Sequence, residues 1–101
     1  MEGFTMEEEK GEEFLKMLGA EGTMQILKFL DQHSRGRYKH MKEFSNTHTL
    51  NRRLKQLMSF GLVRHHLDKT EARTEWYELT ERGRKALQYA RELLEAVREP
   101  L

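Results

Sequence analysis

The stretch from Asn46 to Val63, NTHTLNRRLKQLMSFGLV, constrains the chain more than any other. Leu50, Leu54, Leu57 and Met58 recur at steps of three and four residues or fall beside them, which is the period of one apolar helix face. Ser45 and Asn46 make a polar turn ahead of the run. Gly61 ends it, because a left-handed residue just past a helix costs glycine nothing. Leu62 and Val63 then begin an apolar segment at once. The spacing predicts a helix from Thr47 or His48 to about Phe60, followed directly by a strand. The face opposite the leucines carries Arg52, Lys55 and His48.

The flanks extend the pattern in both directions. Leu62 to Leu67 reads as a strand, Asp68 to Arg73 as a polar loop, and Thr74 to Leu79, with Trp76 and Tyr77, as the returning strand. YELTERG, from Tyr77 to Gly83, closes that hairpin and opens a last helix, with Thr80 as its N-cap, running from Glu81 to about Arg98. Upstream, residues 1–6 carry no pattern and are expected to be disordered. Glu7 to Leu18 reads as a helix with Phe14, Leu15 and Leu18 on one side, its early glutamates favoured by the helix dipole. Gly19 and Gly22 bracket a break. Thr23 is expected to cap Met24 to Gln32, with Ile26, Leu27, Phe29 and Leu30 inward. After the loop from His33 to Gly36, Arg37 and Tyr38 are expected to make a short strand pairing. Lys39 to Phe44 is expected to be a short helix with Met41 and Phe44 inward. The fold class is mainly α with a small β-hairpin, an α+β arrangement. Residues 7–101 are expected to form a single domain, with a core over 23–80 and an appended helix over 81–99.

Composition limits the function classes. A chain of 101 residues suits one small domain with one modest core. The absence of cysteine excludes disulfides, thiolate metal sites and thiol redox chemistry. No apolar run approaches the ~20 residues that span a bilayer, and no charged-then-apolar leader opens the sequence, so a cytoplasmic protein with no membrane partner is expected. Charged residues of both signs make up 35% of the chain, above the usual ~25%, which fits the ion-pair-rich surface of a thermophile protein.

The net charge of +1 conceals an uneven distribution. From Met1 to Ser34, eight acids face three lysines. From Arg35 to His66, eight bases face one acid, Glu43, and four of the five histidines lie there too. From Leu67 onward, seven bases face eight acids. A basic segment within an otherwise acidic chain is the footprint of a polyanion site on one face. The plain alternative is a solvated helix face with clustered charge.

Helix, helix, short helix, helix, strand, loop, strand, helix: in this order the chain resembles the winged helix-turn-helix transcription regulators of the MarR, ArsR and HxlR kinds found in bacteria and archaea. The resemblance covers Thr23 to about Ala90. It is carried by Tyr38, by Met41 to Phe44, by Thr49-Leu50 and Arg53-Leu54 through Leu57, by Gly61-Leu62-Val63, and by Tyr77-Glu78-Leu79-Thr80 with Gly83. It implies that the long helix enters the major groove of double-stranded DNA, its N-terminal half nearest the bases, and that the hairpin is a wing.

With the leucines inward at ~100° per residue, Arg52, His48, Lys55, Gln56 and Ser59 fall on the opposite side, flanked by Thr49 and Asn51. Arg52 suits a guanine, and Asn51 or Gln56 an adenine. Thr47, His48 and Thr49, at the positive helix start, suit phosphate or base contacts. Arg53 lies on the flank, at a position that often buttresses the fold in the resembled families. Lys69 and Arg73 are the wing-loop cations, opposed by Asp68 and Glu71. Arg37, Lys39 and Lys42 suit phosphate contacts. Trp76 and Tyr77 are read as packing against the helices rather than as base-stacking groups.

No nucleophile with a base partner, phosphate loop or acidic pair in a recognisable setting appears, so the chain is not read as an enzyme. His65 and His66 are adjacent on a strand and point to opposite faces, and His33, His40 and His48 lack ligand spacing. No metal or other cofactor is expected, and no effector pocket is named. The last helix carries an apolar stripe, Leu87, Ala90, Leu94, Val97 and Leu101, widened by Ala86 and Leu93, beyond what one small domain covers. With Phe14 and Leu18 of the first helix it suggests a two-fold homodimer; the alternative is that these helices fold back on their own chain. The expected function is sequence-specific DNA binding by a dimeric transcription regulator. Two other readings stand beside it: a sequence-tolerant architectural DNA binder, and a protein-interaction winged helix within a transcription complex.

Overall fold

The computed structural model describes residues 6–70 and 72–100. The expected disorder of residues 1–5, the side chain of Glu71 and the placement of Leu101 on the pairing stripe lie outside the described residues. The elements are α1 (Met6–Leu18), α2 (Thr23–Gln32), α3 (Tyr38–Met41), α4 (Thr47–Ser59), β1 (Val63–Asp68), β2 (Thr74–Leu79) and α5 (Glu81–Arg98). β1 and β2 form an antiparallel hairpin in which Val63 faces Leu79 and Asp68 faces Thr74. The fold is a winged helix-turn-helix, α2 to β2, with α1 and α5 added at its ends.

Both ends of α4 are specified locally. The Asn46 side chain accepts a hydrogen bond from the Thr49 amide at 2.8 Å, an N-cap of a kind that contributes about 1 kcal/mol. At the other end Gly61 takes φ +76. The Gly61 amide donates to the Met58 carbonyl at 3.0 Å and the Leu62 amide to the Leu57 carbonyl at 2.9 Å, the paired bonds of a Schellman ending. Between the caps, Leu50, Leu54 and Leu57 are buried against Ile26, Leu27 and Leu30 of α2, Met41 of α3 and Val63 and Leu79 at the hairpin base.

Three local expectations are corrected. Thr23 does not cap α2. Gly22 does, at φ 88, and Thr23 is the first helical residue, fully buried, its hydroxyl donating to the Met17 carbonyl at 2.6 Å. The chain needs a left-handed residue there, which a β-branched threonine resists. The short strand pairing belongs to Gly36 and not to Arg37-Tyr38: Gly36 and Tyr77 exchange two amide-carbonyl bonds of 2.8 Å, and α3 already starts at Tyr38. Finally, α1 turns Met17 into the core (3% exposed) and leaves Leu15 at 63%, so the inner face is rotated from the one expected. Phe14 reaches the end of α4, edge-on to Phe60 with ring centroids 5.3 Å apart.

Thr80 joins the wing to α5. Its hydroxyl donates to the Gly61 carbonyl at 2.6 Å and accepts from the Gly83 amide at 3.0 Å, while its own amide donates to the Leu62 carbonyl at 3.0 Å. Gly83 must be glycine for a steric reason. A β-carbon there would run into the Leu62 carbonyl oxygen and crowd the Leu79 side chain. Gly83→Ala is therefore expected to lower stability by about 1–3 kcal/mol, the usual cost of overpacking, measured by denaturant unfolding; an unchanged midpoint would show that the backbones do not meet this closely.

Candidate nucleic-acid interface

The two sides of α4 have opposite characters. Thr47, His48, Asn51, Arg52, Lys55 and Ser59 are exposed, and among the described residues none of the cations Arg52, Lys55 and His48 is held in an ion pair. The same holds for exposed Lys39 and Lys42 at α3. Elsewhere three arginines are engaged, Arg64 with Glu78 at 3.8 Å, Arg91 with Asp31 at 3.3 Å and Arg98 with Glu95 at 3.8 Å, while exposed Lys28, Arg84 and Lys85 are, like those of α4, without an ion pair among the described residues. Asn51 is steadied from behind, its side-chain oxygen accepting from the Tyr38 hydroxyl at 2.7 Å. That bond ties the start of α3 to the middle of α4 and orients an amide otherwise free to swing.

Three residues on or beside the expected stripe are held within the fold. Arg53 is structural: its Nε donates to the Glu21 carbonyl at 2.8 Å and its Nη1 to Gln56 Oε1 at 2.9 Å. Gln56, expected among the outward residues, is half-buried and held by Arg53 beside α1. Its place on the outward stripe is thus corrected, since the guanidinium reaching for the Glu21 carbonyl in the α1–α2 turn draws the amide with it. Thr49 is half-buried with its methyl against Gly22, leaving its backbone amide to complete the Asn46 cap.

The hairpin has two unlike faces. Tyr77 packs toward the core, and burial pushes its phenol pKa up. Trp76 does not pack against the helices as expected. It lies on the outer face, stacked on His66 (centroids 5.0 Å, planes 13° apart), with the Arg35 guanidinium 4.4 Å from its ring centre. The alternation of a strand puts neighbours Trp76 and Tyr77 on opposite faces, so only one can reach the core. At the tip, Lys69 and Arg73 are exposed. The turn is set by Asp68, which accepts from the Thr70 hydroxyl at 2.5 Å and the Thr70 amide at 2.9 Å. Those bonds, with Arg35 nearby, hold the Asp68 carboxyl below its ordinary range. A lowered carboxylate pKa means this contribution is complete at neutral pH and fades only as pH falls through the lowered value.

Of the expected pairing stripe, Leu87 (1% exposed) and Ala90 close this chain's own core. Gly83 is pressed against the hairpin base, which sets the rotation of α5 and turns Leu87 inward. Leu94, Leu93 and Val97 (83%) stay exposed, as does Tyr89. Alongside α1, the residues Phe14, Leu15, Leu18, Ala86, Tyr89 and Leu93 line an apolar groove. Leu15, Tyr89 and Leu93 were not singled out together in the sequence, because the groove's line on α5 depends on that same rotation.

No His/Cys/Asp/Glu cluster among the described residues could hold a metal ion, and none of the described helices is long and apolar enough to cross a membrane.

No protein-family model and no curated protein matches the chain. Among solved structures it is similar to the provisionally named transcriptional regulator ytfH from Salmonella typhimurium, with a TM-score of 0.71 and 18% identity over 86% of this chain and 80% of that one. The likeness is one of fold, and it agrees with the winged helix described above.

The division of labour between adjacent arginines is open to a direct test. Arg53→Met is expected to lower stability by about 1–2 kcal/mol, since it removes two hydrogen bonds made by a charged group, whereas Arg52→Met should stay within ~0.5 kcal/mol of wild type. Equal effects in chemical unfolding would contradict the assignment.

Proposed function

We propose that the protein binds double-stranded DNA as a transcription regulator, with α4 in the major groove and the hairpin beside the backbone. One observation carries the reading. α4 buries one side completely, and its other side offers Arg52, Lys55, His48 and Asn51 to solvent with no internal ion pair among the described residues. Unpaired cations along a groove-sized helix match the requirements of phosphate and base-edge recognition. Lys39 and Lys42 on α3, and Lys69 and Arg73 on the wing, supply backbone contacts. Thr47 lies at the N-terminus of α4, where helix amides and dipole favour a phosphate. The similar solved structure, named as a transcriptional regulator, agrees with this class.

The protein acts as a homodimer, in which Leu93, Leu94 and Val97 of α5 and the groove lined by Phe14, Leu15 and Leu18 meet a second copy. The support is the amount of apolar side chain left exposed on one side of the molecule, which a lone small domain does not normally keep. Two-fold pairing would present two α4 helices to half-sites about one DNA turn apart, ~34 Å. Localisation in the cytoplasm and a domain spanning residues 7–101 complete the reading.

Selection of bound sequences from a random duplex pool, followed by binding of the selected site, provides the test. Arg52→Ala is expected to weaken binding by about 1–3 kcal/mol and relax preference at one base position. Lys55→Ala should weaken it uniformly and flatten the salt dependence by about one unit of slope. If neither variant alters affinity or salt dependence, α4 is not the DNA-binding element. A selected site less than ~10³-fold preferred over bulk DNA would favour the architectural reading. For the dimer, Leu93→Glu is expected to yield a monomer in sedimentation equilibrium with its helical content intact; an unchanged mass would place the contact elsewhere.

A further inference from the structure

The two wing histidines repeat one arrangement on opposite faces of the hairpin. His65 lies against its cross-strand neighbour Tyr77, the rings tilted by 35° (centroids 4.8 Å), and shares a hydrogen bond of 2.5 Å with Glu75. His66 stacks on its own cross-strand neighbour Trp76 and shares a hydrogen bond of 2.6 Å with Glu78. Each imidazole thus has an aromatic ring at one side and a carboxylate at its Nε2. Other groups near the His66 stack are Arg64, 3.8 Å from the same Glu78, and Arg35, over Trp76. Tyr38 of α3 lies near enough to Tyr77 to act on it electrostatically.

The charge balance of the hairpin makes these pairs matter. From Val63 to Leu79, the bases Arg64, Lys69 and Arg73 face the acids Asp68, Glu71, Glu75 and Glu78, a net of −1 with neutral histidines. Adding Arg35 brings it only to zero. With neutral imidazoles the hairpin therefore gives a polyanion no net attraction. Protonating both rings turns −1 into +1. It also converts two hydrogen bonds between a neutral imidazole and a carboxylate into ion pairs and sets two cations against aromatic faces, which tightens the hairpin.

We infer that the hairpin is a proton-gated arm of the DNA interface: proton uptake by His65 and His66 reverses its charge and engages it with the phosphate backbone. This rests on the DNA-binding reading above. Imidazole is the side chain that ordinarily changes charge between about pH 5 and 8, so the gate is to be tested between about pH 8 and about pH 5.5.

The experiment measures affinity and salt dependence on double-stranded DNA across that range, for wild type, His65→Gln/His66→Gln and Glu75→Gln/Glu78→Gln. Wild-type binding is expected to tighten as pH falls, with the slope of log affinity against log salt steepening by about 1–2 from the wing as two more charges meet phosphates. The histidine double variant should lose that increment and keep only what His33, His40 and His48 contribute. The glutamine-for-glutamate variant makes the hairpin net +1 with neutral histidines and should bind more tightly than wild type at about pH 8. In the absence of DNA, emission from Trp76, the one tryptophan in the chain, should titrate in wild type and stay flat in His66→Gln. Identical pH and salt profiles for wild type and the histidine variant would overturn the gate while leaving DNA binding intact. No DNA binding at any pH would remove the underlying reading and the gate with it.

Discussion

The Thr80 hydroxyl is the hinge pin of this fold. It donates to the carbonyl of Gly61, the residue just past α4, and it accepts from the Gly83 amide in the first turn of α5. Its own amide closes on Leu62 at the root of the hairpin. Three elements thus meet at one side chain. Arg82 adds a further bond of 3.2 Å to the Phe60 carbonyl, so the two carbonyls just past α4, Phe60 and Gly61, are bonded by Arg82 and Thr80 at the start of α5. The angle between α4 and the wing is consequently a local property, set within a few residues.

Much of this could be read from the chain because it is local. The leucine spacing of α4, Gly61 past its end, and Thr80 ahead of Gly83 each specify a short piece of backbone, and all three stand where the sequence puts them. What could not be read depends on partners distant in sequence. Thr23 looks like a cap until the Met17 carbonyl is brought beneath it. Gly36 looks like loop until Tyr77 arrives across 41 positions of numbering to pair with it. Gln56 has the right phase for an outward residue, and only the anchoring of Arg53 on Glu21 draws it aside. The same holds for α5, where several adjacent apolar stripes compete. Contact of Gly83 with the hairpin decides that Leu87 goes in and Leu93 stays out.

Electrostatics separate the surface along similar lines. Charged side chains that support the fold are engaged with carboxylates or carbonyls, as Arg53, Arg64, Arg82 and Arg91 are. The exposed cations of α3 and α4 have no such internal partner among the described residues, and keeping them so costs little while water screens them. Charge that is unpaired and grouped on one side raises affinity for anions without burdening the core.

The position of Thr80 also has a mechanical meaning. α5 has 18 residues, about 27 Å of nearly rigid rod at ~1.5 Å per residue, and its residues beyond Leu93 are all exposed. Its root is bonded to the end of α4. It is therefore a lever whose fulcrum lies at the helix that faces solvent with its cations. A tilt of about 10° at the root sweeps the far end through about 5 Å. Conversely, any displacement of the far end of α5 reaches α4 only through this root and through the packing of Leu87 and Ala90 in the core.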